Sequence, residues 1–235
     1  MADTNNTTEP LVFTYWENQR GTIQPLIYLL EYLKVPYTFK TVKGDQEFAE
    51  LKKTLKNQGV KFPSLPSIEH NGKYISEMRA MASYITTLAG RTDLHAGHKD
   101  FVEWVQLECI LGDTLGDILR AAHTATDVEN LKKIYPSWAL RHKSRFVDLA
   151  ILIKDRGFLL GGEQVTYLDF FLAELTERLV AMETDLEVVC LSKFDGLNEH
   201  LEKVLAVPEI KAYREKDHLN LIGAAWNRPT KAVWH

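Results

Sequence analysis

Residues 62–85 read FPSLPSIEHNGKYISEMRAMASYI, and this stretch leaves few ways to fold. Pro63 and Pro66 stand three apart. Neither can donate to a strand ladder, so they mark a bend or the first residue of a strand. Asn71-Gly72 separates two short extended runs, SIEH and KYI. That dipeptide is the strongest short-range signal for a two-residue hairpin, because both turn residues need positive φ. Ser76 then precedes Glu77-Met78-Arg79-Ala80; Ser is a good N-cap, and Glu and Met are good helix formers. The pattern predicts a proline bend, a hairpin, a sharp turn and a helix N-terminus. Such an N-terminus offers unpaired N–H groups and a partial positive charge, which suits a carboxylate.

Upstream, residues 1–10 read as a disordered tail. LVFTYW at residues 11–16 has strand composition, and ENQRG after it reads as a loop. Thr22 is placed to cap a helix and Pro25 to sit in its first turn. Ile23, Leu26, Ile27, Leu30 and Leu33 recur at helical spacing. Val35-Pro36 ends that helix, and residues 37–40 form a second strand. A right-handed crossover makes the two strands parallel. A short helix over residues 49–56 follows. The first domain, residues 11–90, is thus expected to be a four-stranded mixed sheet with helices on its faces.

Residues 91–98 have linker composition. From residue 99 onward no strand signal recurs, so residues 99–235 are expected to be all-helical with an irregular tail containing Trp226. One long helix starts near Phe101. A second starts at Pro136 or Ser137 and runs to Lys154. Others cover residues 195–204 and 208–216. The sharpest start is Val165-Thr166-Tyr167-Leu168-Asp169-Phe170. Thr166 and Asp169 form a capping box, and Val165 and Phe170 form its hydrophobic staple.

The net charge of −4 argues against nucleic acid, whose binders carry a basic stripe. Two cysteines, Cys109 and Cys190, make no disulfide framework, and no metal-ligand spacing occurs. That usage fits a reducing cytosol. No apolar run reaches the ~20 residues of a membrane span, and residues 1–10 lack the apolar core of a signal peptide. The expectation is a cytoplasmic protein without membrane or metal.

Four segments carry a family resemblance. They are Tyr15-Trp16 with Arg20-Gly21 and Leu29-Leu30-Glu31-Tyr32; Phe62-Pro63-Ser64-Leu65-Pro66; the capping box; and Arg228-Pro229 with Lys231-Ala232-Val233-Trp234. In this order they resemble the cytosolic glutathione transferases, most closely the mu class. The resemblance implies a thioredoxin-like N-terminal domain, an all-α C-terminal domain and a homodimer. It implies glutathione as cosubstrate, no permanently bound cofactor, and conjugation of the glutathione sulfur to a small hydrophobic electrophile in detoxification. The alternative is a noncatalytic ligand-binding or structural protein of the same fold.

By the same resemblance, Tyr15 hydrogen-bonds and stabilises the glutathione thiolate. Its bland alternative is core packing. Trp16 donates its indole N–H to glutathione, packs in the core, or does both. Ser64, Leu65 and a cis Pro66 meet the cysteinyl part, through the backbone of Leu65. Glu77 meets the γ-glutamyl amine. Met78 stands where the family has serine, so its N–H is left to hold the γ-glutamyl carboxylate, with Ser76 or Arg79 in reserve. The family's tryptophan and lysine for the glycine carboxylate fall on Leu51 and Leu55, which leaves Lys52 and Lys56 for that role, or for a plain solvated face. Phe62 is the aromatic that enters the partner subunit, or else a core residue. Asp113 is the acid that reaches across the dimer. The second mu tyrosine has no counterpart near Arg120 and His123.

Overall fold

The structure is a computed structural model and describes residues 9–17, 20, 22–95 and 99–216. The tail motif with Trp226, Arg228 and Trp234, most of residues 1–10, and the side chain of His123 lie outside the described residues.

Strands β1 (Leu11–Trp16), β2 (Tyr37–Val42), β3 (Ser67–His70) and β4 (Lys73–Ser76) form one sheet in the order β2-β1-β3-β4. β1 and β2 run parallel, with Tyr15 beside Thr41. β1–β3 and β3–β4 are antiparallel. Asn71 and Gly72 have φ of 49° and 71°, as a primed hairpin turn requires. α1 (Gln24–Leu33) crosses over between β1 and β2, α2 (Asp45–Asn57) follows β2, and α3 (Met78–Leu88) follows β4. Leu11, Phe13, Ile27, Leu30, Ile68 and Ile85 are all buried in the core these elements share.

The second half is helical: α4 (Phe101–Thr124), α5 (Val128–Arg156), α6 (Tyr167–Leu186), α7 (Asp195–Leu205) and α8 (Pro208–Glu215). α6 is its hub and also packs on α1 of the first half, where Tyr28 and Phe170 meet edge to face. The capping box forms as expected. Asp169 accepts from the Thr166 N–H at 2.8 Å, and Val165 and Phe170 are both buried. Among the described residues no helix is long and apolar enough to cross a membrane.

Several local expectations shift. Ser76 does not cap α3; it is the last residue of β4, and its hydroxyl donates to the Phe62 carbonyl at 3.0 Å. Glu77 takes the cap position instead, with φ 71° and ψ 124°. Thr22 does not cap α1, whose cap position is Ile23; Thr22 bonds the Tyr15 phenol instead. α2 begins four residues early, at Asp45 behind a Gly44 cap with φ 85°, and Glu47 accepts the Lys43 N–H at 2.7 Å.

α5 starts at Val128 rather than Pro136. Asp127 caps it by accepting the Asn130 N–H at 2.7 Å. Pro136 sits inside the helix and removes one ladder donor. Its neighbours hold the turn in place: Tyr135 is wholly buried and donates to Glu183 at 2.6 Å, and its ring stacks 5.4 Å from that of Trp138. The segment after α3 is more than a solvated linker. Residues Thr92–Leu94 make a 3-10 turn, and Leu94 and His95 are buried.

Candidate functional site

The carboxyl end of β1, the bend before β3 and the first turn of α3 bring the expected residues to one end of the sheet. Tyr15 is only 6% exposed. Burial pushes its phenol above the ordinary value, outweighing hydrogen bonds from Thr22 and the charge of Arg178. A phenol held protonated in this way is a donor at neutral pH.

Arg20, shortly after β1, is tied across to the helical half. Arg20, itself buried, donates to Glu174 at 2.5 Å and to Glu177 at 2.7 Å. Glu174 also pairs with Arg178 at 2.7 Å, and Glu177 with Arg214 at 2.8 Å. Arg214 donates to the Tyr28 hydroxyl at 2.8 Å. Charges buried this deeply persist only when paired. This chain of five charges therefore ties Arg20, five residues beyond Tyr15, to α6.

Trp16, half-buried, meets the ring of Phe48 edge-on at 4.9 Å, and Lys52 stands 5.1 Å over that same ring. Lys56 is exposed one turn further on, whereas Leu51 is half-buried and Leu55 buried. The second helix thus turns its leucines inward and its lysines outward. Phe48 is the link between Trp16 and Lys52 that sequence reasoning missed. Its only signal was an aromatic in an otherwise charged helix.

The Leu65–Pro66 bond is cis, as expected. The bend is tied to the hairpin at three points. Tyr74 donates to the Ser64 carbonyl at 2.6 Å, Ser64 donates to the Glu77 carboxylate at 3.2 Å, and Ser76 donates to the Phe62 carbonyl. Tyr74 was also missed; a strand tyrosine carries no sequence mark of such a role. Glu77 lies in a backbone region that non-glycine residues rarely enter, and such strain gathers at functional sites.

Met78 is the first residue of α3 and offers its N–H but no side-chain donor. Arg79, next to it, is ion-paired with the buried Glu108 of α4, and its Nη2 lies 3.6 Å from Cys109 Sγ. Ser76 is engaged elsewhere, and Arg79 is the cation of the first turn of α3. Between the start of α3, α4 and α6 lies a cavity of about 320 Å³, lined by Thr22, Met78, Arg79, Asp113, Tyr167 and Phe171 among others. Asp113 is exposed on α4 and faces this cavity of its own chain. Phe62 stands on the bend 79% exposed, beside a second, open cavity of about 760 Å³ against the hairpin.

A thioredoxin-like α/β unit with a cis-proline bend, followed by an all-helical unit built on α6, defines the glutathione transferase fold. Prostaglandin synthase D of Nilaparvata lugens has this fold: its TM-score is 0.70 at 21% identity, covering 89% of this chain and 98% of that one.

Sequence comparison points to a family. Residues 119–217 match the family described as "Glutathione S-transferase, C-terminal domain". "Probable glutathione S-transferase 5" of Caenorhabditis elegans is 27% identical over 215 residues, covering 86% of this chain and 94% of its own length. "Glutathione S-transferase A4" of Mus musculus is 25% identical over 203 residues, covering 85% and 86%. Together these matches support the glutathione S-transferase family for this chain.

Proposed function

We propose that this chain is a cytoplasmic, homodimeric glutathione transferase that joins the glutathione thiolate to hydrophobic electrophiles. The observation that carries the reading is the convergence of a buried, protonated Tyr15, a cis Leu65–Pro66 bend and the N-terminus of α3 at one end of the sheet. The relatives named glutathione S-transferase supply the prior. The Tyr15-Trp16 and Phe62-Pro63-Ser64-Leu65-Pro66 motifs are the basis for a mu-like class within the family.

In this reading the Leu65 backbone pairs with the cysteinyl part of glutathione. Glu77 takes the γ-glutamyl amine. The Met78 N–H takes the γ-glutamyl carboxylate, helped by the dipole of an 11-residue helix. Trp16, Lys52 and Lys56 meet the glycine carboxylate. Phe62 enters the partner subunit, and Asp113, exposed at the rim of its own chain's cavity, also reaches the partner's site.

A free thiol with pKa ~8.5 is mostly protonated at neutral pH. Its proton leaves to solvent, and the Tyr15 O–H donates to the sulfur and favours the anion. The thiolate then attacks an electrophile held in the cavity between α3, α4 and α6.

One feature favours the noncatalytic alternative: Met78 gives the helix start no hydroxyl for the carboxylate. Retention on immobilised glutathione, followed by turnover of a simple aromatic electrophile, separates the two. Retention with turnover is expected. Retention without turnover supports the noncatalytic reading, and failure to bind glutathione overturns the transferase reading.

A further inference from the structure

The cavity between α3, α4 and α6 holds a nucleophile that the transferase mechanism does not use. Cys109 is exposed and lines it, with the Arg79 guanidinium 3.6 Å from its sulfur. Two more observations mark the cavity as built for a ligand. Tyr167 lines it, and its wholly buried hydroxyl has no hydrogen-bond partner among the described residues; it lies within the fields of Glu108 and Arg79. An orphaned buried donor of this kind calls for an acceptor such as a ligand oxygen. Gly112 and Gly116 line the same cavity one helical turn apart, and a Cβ added at either would meet nothing within 4 Å. Glycine inside a helix is less stable than alanine by about 1 kcal/mol each, so α4 gives up stability where it faces this space. Met78, Leu115 and Phe171 supply apolar wall, and Thr22, Glu108 and Asp113 complete the lining.

We propose that Cys109 is a protein-borne trap in this cleft, which captures hydrophobic α,β-unsaturated carbonyl compounds covalently. The step is a conjugate addition. The Cys109 thiol gives its proton to water, and the sulfur bonds to the β-carbon. The carbon–carbon π bond opens to an enolate, which takes a proton from water at the α-carbon. Nothing is oxidised and no group leaves. Holding the enone in the cavity beside the sulfur makes the reaction effectively unimolecular. The other cysteine is a natural contrast. Cys190 is half-buried in the loop after α6, where burial and the neighbouring Glu183 push its thiol up.

The proposal takes from the transferase reading only that the cleft accepts electrophiles, and it is tested without glutathione, so either can fail alone. Full-length protein is incubated with benzylideneacetone, an aromatic enone, and the adduct is located by peptide mass spectrometry over a range of enone concentrations. The expected result is a single adduct at Cys109. Its rate saturates with enone concentration. Cys190 stays free, and Cys109→Ser loses the adduct. Uptake that rises linearly without saturation, or that divides equally between Cys109 and Cys190, overturns the proposal.

Discussion

Replacing Asp169 by alanine removes an acceptor that takes four hydrogen bonds in the helical half. Its carboxylate, wholly buried, accepts from Leu159 N–H at 2.9 Å, Thr166 N–H at 2.8 Å, the Thr166 hydroxyl at 2.7 Å and His200 Nε2 at 3.0 Å. These bonds join the start of α6, the turn after α5 and the face of α7. Asp169→Ala leaves two backbone N–H groups and an imidazole buried without their partner, at roughly 1–3 kcal/mol each, while the hydroxyl can turn elsewhere. The sum is about 4 kcal/mol, the size expected when one member of a buried polar or ionic set is deleted. Thr166→Ala removes only the other half of the cap, about 1 kcal/mol.

Urea unfolding followed by circular dichroism reads the difference. With a denaturant slope of about 2 kcal/mol per molar, the Asp169→Ala midpoint falls by about 2 M and the Thr166→Ala midpoint by about 0.5 M. Against a total stability of roughly 5–15 kcal/mol, the first change threatens folding at 37 °C and the second does not. Equal midpoints for the two variants would refute the reasoning, because Asp169 would then be acting as a cap alone.

Two further outcomes follow from particular residues. At Glu77, with φ 71°, glycine relieves backbone strain that alanine keeps, so Glu77→Gly should unfold at higher urea than Glu77→Ala by about 1–2 kcal/mol. The reverse order, the usual one away from positive φ, would show that the backbone there is unstrained. Phe62 is 79% exposed, so Phe62→Ser should shift sedimentation at micromolar protein from dimer to monomer without loss of helix signal; a wild-type protein that is already monomeric rules out its proposed lock.

Much of the fold was legible because its signals were local. Asn71-Gly72 fixed a hairpin through φ, and Thr166 with Asp169 fixed a helix start through two hydrogen bonds. Pro136 misled because its local penalty is outweighed by the distant bond of Tyr135 to Glu183 together with the stacking of Tyr135 on Trp138. Ser76 misled because its hydroxyl had a better partner in the Phe62 carbonyl, 14 residues back. The geometry of the candidate site was legible where a motif names a backbone feature, as with the cis Leu65–Pro66 bond. It was hidden where the work is done by long-range packing. No spacing rule joins Phe48 to Trp16, Tyr74 to the Ser64 carbonyl, or Arg20 to Glu174, which is 154 residues away.

The most direct test of the thiolate role is the ultraviolet absorption of bound glutathione thiolate, titrated against pH in wild type and Tyr15→Phe. A hydrogen bond to a charged group is worth about 1.5–3 kcal/mol, which is about 1–2 pKa units. Wild type should therefore ionise the bound thiol about 1–2 units below the free one. Tyr15→Phe should return it to near the free value of ~8.5, with glutathione still bound. Bound glutathione that titrates alike in the two proteins would contradict the role assigned to Tyr15.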